Sequence, residues 1–190
     1  MRLTVLAGLL FLAGVALAQG PEALLDDARA QVILVEVSSE APYTLQAPSP
    51  NGAIWIALDN TTAIGDRKLA VGDTQAVAPG KTVQFSCLKG RARIVVVYIK
   101  SATQPVTVDA ISLKDREEWQ DASARRDRLL IAVSSLNLRD TWNLAADSQW
   151  KPSKPENIRL KPAAAQWIKA GTHHLKNMQV GEARFAAAEW

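Results

Sequence analysis

Residues Thr82 to Ile99 read TVQFSCLKGRARIVVVYI. Val83, Phe85 and Cys87 alternate with polar neighbours, the period-two signature of a strand with one buried face. Gly90 then supplies a turn, and Ala92 to Ile99 follows. That second run is continuously apolar from Ile94 to Val97, as a strand covered on both faces must be. Further β-rich runs surround this hairpin at Gln31 to Val37, Ala53 to Leu58, Lys68 to Val71 and Val106 to Leu113. Between them Pro50-Asn51-Gly52, Ile64-Gly65-Asp66, Val71-Gly72-Asp73 and Pro79-Gly80-Lys81 supply residues that tolerate tight turns. The pattern predicts a mainly β fold, an antiparallel β-sandwich of the Ig-like or jelly-roll-like kind, over residues 31–113.

The punctuation changes after this region. Residues 20–105 hold many prolines and glycines, whereas 106–151 hold none. Asp115 with Glu118 reads as a capping box, and Trp119, Ala122, Leu129, Leu130, Val133 and Leu136 recur at helical spacing. Pro162 before Ala163 to Ala170, with Gly171 after it, matches the usual order of helix start and stop. Residues 114–190 are therefore expected to form a helical, Trp-rich extension with a Pro/Lys linker at 151–155. Residues 19–30 are expected to be a short leading helix or linker, since Leu24, Leu25 and Ala28 share helical spacing. No internal repeat is visible.

The amino terminus carries a targeting signal. Arg2 precedes sixteen uncharged residues, Leu3 to Ala18, ending in Ala16-Leu17-Ala18. A positive start, an apolar run and small residues at the end are the pattern of a secretory signal peptide, residues 1–18, with the mature chain beginning at Gln19. Sixteen residues at about 1.5 Å rise span roughly 24 Å, short of a ~30 Å hydrocarbon core. The expectation is an exported protein, periplasmic or extracellular, with no integral membrane segment after cleavage. Cys87 then has no partner within the chain and is expected to be a buried free thiol.

Composition narrows the chemistry. A net charge of +3 and 48% hydrophobic residues exclude intrinsic disorder, and a single cysteine excludes a disulfide scaffold. No glycine-rich phosphate loop and no Gly-x-Ser-x-Gly elbow occur. The two histidines, His173 and His174, are neighbours that project in different directions on a strand or helix, so no metal or other cofactor is expected.

Charge and aromatic placement supply what remains. Arg125, Arg126 and Arg128 form a basic cluster and are candidate contacts for a ligand or partner, although Asp121 and Asp127 accompany them in a mixed solvated face and no nucleic-acid partner is expected. Five of the six tryptophans lie in 114–190. Trp150 and Trp190 there, with Trp55 and Tyr43 in the β region, are the candidate rings for a ligand or partner. The expected function is a non-catalytic binding or structural protein of the cell envelope, acting through a protein partner or self-assembly. A glycan or cell-wall polysaccharide module is the alternative, and a hydrolase with an unrecognised site, using His173 or His174 as base, is the second.

Overall fold

The computed structural model describes residues 21–124, 126–143 and 154–190. The expected signal peptide, Arg125, Trp150 and most of the Pro/Lys linker lie outside them. The described residues form seventeen strands and no helix. In the first half these are β1 (Glu22–Asp26), β2 (Ala30–Ser38), β3 (Tyr43–Gln46), β4 (Ala53–Ala57), β5 (Thr62–Ile64), β6 (Arg67–Lys68), β7 (Thr74–Val77), β8 (Thr82–Cys87) and β9 (Arg91–Ile99). In the second they are β10 (Thr107–Leu113), β11 (Glu118–Ala124), β12 (Arg128–Ala132), β13 (Leu136–Asn143), β14 (Glu156–Leu160), β15 (Ala165–Ile168), β16 (Gly171–Asn177) and β17 (Ala183–Glu189).

The β-sandwich expectation holds in its coarser form: the chain is mainly β, with antiparallel sheets. The helical extension is corrected. Arg116 adopts a left-handed φ of 64°, which ends any helix where the capping box would begin one. The Leu129–Ile131 run belongs to a central strand buried on both faces, so its period of two is hidden and its spacing mimics a helix. Ala163 is left-handed too, at φ 70°, and turns β14 into β15 inside the supposed helix. The leading helix is likewise corrected, because residues 22–26 pair antiparallel with β2 as an edge strand.

Sheet order reveals a duplication. The first half has β2-β9-β4-β7 (with β1 added outside β2) and β3-β8-β5-β6. The second has β10-β17-β12-β15 and β11-β16-β13-β14, the same order shifted by eight strands. Irregular hydrogen bonds align the copies residue by residue. Gly72 N–H donates to Ala57 O, and Ala57 N–H to Asp73 O, both at 2.8 Å. Ala163 N–H donates to Ala132 O at 2.8 Å, and Ala132 N–H to Ala164 O at 2.9 Å. The turn residues, Gly72 and Ala163, both have positive φ, 92° and 70°. Ala57 thus corresponds to Ala132. On the other sheet Leu88 N–H donates to Thr61 O and Met178 N–H to Asn137 O, at 2.9 and 2.8 Å, which sets Cys87 against Asn177.

Each lobe has its own interior. Val35, Leu45, Trp55, Phe85 and Val96 fill the first, and Leu130, Leu138, Leu175, Phe185 and Ala187 the second. A third core joins them, where Val32, Ile54, Ile56, Val95 and Val97 of the first lobe meet Leu129, Ile131, Ala186 and Ala188 of the second. Alternation along β4, β9, β12 and β17 sends successive side chains to the lobe interior and to this shared layer.

Because both lobes lean on the shared layer, truncating it should weaken both. Ile131 is fully buried there, and Ile131→Ala is expected to cost about 2–5 kcal/mol in a single cooperative urea transition. Two separate transitions, with the first lobe's unchanged, would contradict the shared core.

Candidate functional site

The aligned lobes differ at one end of the barrel. In the first lobe Ile33, Ala53, Ile64 and Val83 pack in or against its apolar interior. The strand registers place Asp109, Arg128, Asp140 and His173 at the same four positions of the second lobe. Tyr43 and Tyr98 close the first mouth, their hydroxyls 2.6 Å apart. Burial, and then that hydrogen bond, pushes the Tyr43 phenol above its ordinary pKa. Trp119 and Glu189 take their places in the second lobe. One mouth is sealed by apolar and phenolic groups, whereas its copy is lined by charge.

His173 is brought inward by β16, where Gly171, His173, Leu175 and Asn177 alternate as the buried positions. Asp140 enters from β13 and is 3% exposed, while His173 is 1% exposed. The His173 Nδ1 lies 2.9 and 3.1 Å from the two Asp140 carboxylate oxygens, and its Nε2–H donates to the Lys169 carbonyl at 2.6 Å. A carbonyl only accepts, so Nε2 carries a hydrogen; a proton must then also lie between Nδ1 and the carboxyl group. Trp142 stacks on the imidazole, with centroids 5.8 Å apart and planes inclined at 15°.

Arg128 enters from β12 with its side chain 9% exposed. Its Nε is 3.3 Å from Glu189 Oε2 and one terminal nitrogen is 3.7 Å from Asp109 Oδ2. Its guanidinium carbon stands 5.7 Å from the centre of the Trp119 ring, which packs edge-on against Phe185. The mouth thus combines a buried cation, two rim carboxylates, two indole rings and a proton-holding pair. His174, the next residue, faces the other side of the sheet and meets Glu118 at 2.7 Å.

The candidate rings and cations from the sequence fall differently. Trp55 is 1% exposed and packs edge-on against Phe85, so it offers no surface to a ligand. Tyr43 is tied to Tyr98. Trp190 packs against the shared core and edge-on to Trp167, with centroids 5.1 Å apart. Arg126 is half-buried and bonds Thr103, whereas Arg128 is buried and belongs to the mouth. Cys87 is a free, buried thiol whose Sγ donates to Lys89 O at 3.2 Å. Sequence reasoning missed Asp109, Asp140 and Glu189, and weighed His173 as the base of a hydrolase. The one available signal was the alternation of His173, Leu175 and Asn177.

No protein-family model matches the chain, and no curated protein matches it in sequence. Solved structures do share its fold. A conserved protein of unknown function from Pseudomonas aeruginosa PAO1 superposes with TM-score 0.59 at 12% identity, over 84% of this chain and 80% of that one. An oxalate decarboxylase gives 0.57 at 10%, over 85% and 68%. A protein named as a mannosephosphate isomerase from Archaeoglobus fulgidus gives 0.54 at 7%, over 86% and 72%. The neighbours are cupin-type, jelly-roll-like barrels.

These neighbours overturn the expected structural protein of the cell envelope. They are cupin-fold proteins with enzymes among them, although at these identities the fold alone carries across. Among the described residues the exposed large apolar side chains are Leu88 and Val180. Cupin-type barrels often hold a metal ion. The residues here do not fit one: among the described residues no three His, Cys, Asp or Glu side chains converge, and both His173 nitrogens are engaged.

If Asp140 and His173 form a buried pair in the place of Ile64 and Val83, the first lobe's residues should substitute for both together. Asp140→Ile or His173→Val alone is expected to cost about 3–5 kcal/mol, because each strands a buried polar partner. The double variant should cost less than either single change in urea denaturation. Additive losses would contradict the pairing.

Proposed function

We propose that this chain is a cupin-type small-molecule-binding protein whose ligand, a compact carboxylate, enters the mouth of the second barrel. The carrying observation is the replacement of Ile33, Ala53, Ile64 and Val83 by Asp109, Arg128, Asp140 and His173 at equivalent positions. The barrel framework accepts apolar residues at those positions, as its own first copy packs them. Arg128 carries the recognition. Its planar fork matches a carboxylate, and one of its present partners, Asp109, is 3.7 Å away and largely exposed, so a ligand carboxylate can take that place. Trp119 and Trp142 then supply apolar walls.

The His173–Asp140 pair defines the chemistry open to this site. It holds a proton in a water-poor interior at the same end of the barrel as Arg128, which suits proton transfer to or from a bound carboxylate compound. Oxalate and mannose phosphate, the substrates named by two of the fold neighbours, are the natural probes. Oxalate is expected to bind saturably in calorimetric titration and to raise the melting temperature. Arg128→Gln should weaken that binding by about 10- to 100-fold, the worth of a lost charge-assisted pair, with Arg128→Lys intermediate. Binding of equal strength in folded Arg128→Gln protein, judged by its circular dichroism, would overturn the proposal.

A further inference from the structure

We propose a second binding site, for a small ligand bearing an oxyanion, in the cleft where the two lobes meet beside Trp190. The cleft has a volume of about 450 Å³ and is lined by Arg29, Ser101, Thr103, Arg126, Trp167 and Trp190, among others. That volume lies within the range of small-molecule sites, roughly 300–1,000 Å³. It is separate from the barrel mouth, because alternation on β12 and β15 turns Leu129 and Trp167 toward the shared layer and Arg128 and Ile168 into the second lobe.

Its aromatic wall is already organised. The Arg29 guanidinium carbon lies 3.6 Å from the centre of the Trp167 ring, a cation–π contact, and Trp190 meets the same ring edge-on. The Trp167 indole N–H donates to Asp27 Oδ2 at 2.8 Å. Two carboxylates belong to this region, Asp127 in the cleft wall itself and Asp27 behind Trp167, and both are fully committed. Asp27 accepts the backbone N–H groups of Arg29 and Ala30 at 2.7 and 2.9 Å. Asp127 accepts Arg29 at 3.0 Å and the Ala170 N–H at 3.0 Å, with the Lys169 ammonium 3.6 Å away. Burial alone would raise both carboxyl pKa values, but these hydrogen bonds and the neighbouring positive charges outweigh it and hold both below the ordinary range.

Arg126 is the charge left over. It faces into the cleft and donates to Thr103 Oγ1 at 2.8 Å, and no described carboxylate lies within ion-pair distance of it. Arg29 and Lys169 are engaged by Asp127, whereas Arg126 keeps donors directed into the cleft. A guanidinium has five N–H donors in a planar fork, of which Thr103 uses one. The remaining donors, with the Ser101 and Thr103 hydroxyls beside them, suit a carboxylate or phosphate group, while the indole rings suit a flat or apolar ligand body.

The test is a tryptophan-fluorescence titration of the full chain with benzoate and, separately, inorganic phosphate. A saturable change with either probe is expected, and the probe that binds tells which oxyanion the cleft prefers. Arg126→Gln should weaken it at least about tenfold without moving the melting temperature, since this side chain holds only one exposed hydroxyl. Arg139→Gln, at an exposed arginine outside both sites, should leave it unchanged. No saturable change with either probe, equal binding by Arg126→Gln, or loss of the signal in Arg128→Gln alone would overturn the cleft site; the last result would place the probe in the barrel mouth instead.

Discussion

The structure depends on the face-to-face contact between the central sheets of its two lobes. Strands β4 and β9 on one side and β12 and β17 on the other are buried on both faces, so each residue serves either its own lobe or the shared layer. The contact is made close by small side chains. Ala30, Ala186 and Ala188 are fully buried there and let the sheets approach, while Ile54, Ile131, Val95 and Val97 fill the space between. A half-chain would expose this layer to water, which makes each lobe a poor candidate for an independent fold.

Two copies of one barrel sharing a core create room for divergence. Stability can reside in one interior while the other carries groups that are costly to bury. The first lobe shows the stabilising solution, with Trp55 and Phe85 packed at its centre and a tyrosine pair at its mouth. The second lobe holds a buried arginine and a buried imidazole–carboxyl pair on the same framework. Charges in such an interior are tolerated only when paired and hydrogen-bonded, and here each has named partners. Their retention where apolar residues demonstrably fit is the physical reason to regard this mouth as the working part of the molecule.

Much of the first lobe was legible in the sequence. Period-two runs such as Val83, Phe85 and Cys87, and turns such as Val71-Gly72-Asp73, announce strands and reversals through local chemistry. The second lobe was not legible, because its strands are punctuated by non-glycine residues in left-handed turns, Arg116 and Ala163, and because Leu129–Ile131 and Ala186–Ala188 are buried on both faces. Alanine favours helix in isolation, but packing between sheets overrides that preference. The duplication escaped notice for a related reason: hydrogen-bond register preserves it, while the side chains at matching positions, Ile64 with Asp140 or Val83 with His173, share no chemistry. The candidate site was hidden with it, since its members come from six strands.

The central claim is that the second barrel's mouth receives the ligand while the first barrel is a filled scaffold. Nuclear magnetic resonance of protein carrying ¹⁵N-labelled histidine and tryptophan reports on both at once during an oxalate titration. The account predicts saturable shifts of the His173 ring nitrogens and of the Trp119 or Trp142 indole, with the Trp55 indole unmoved. A silent His173, or shifts led by Trp55, would contradict it.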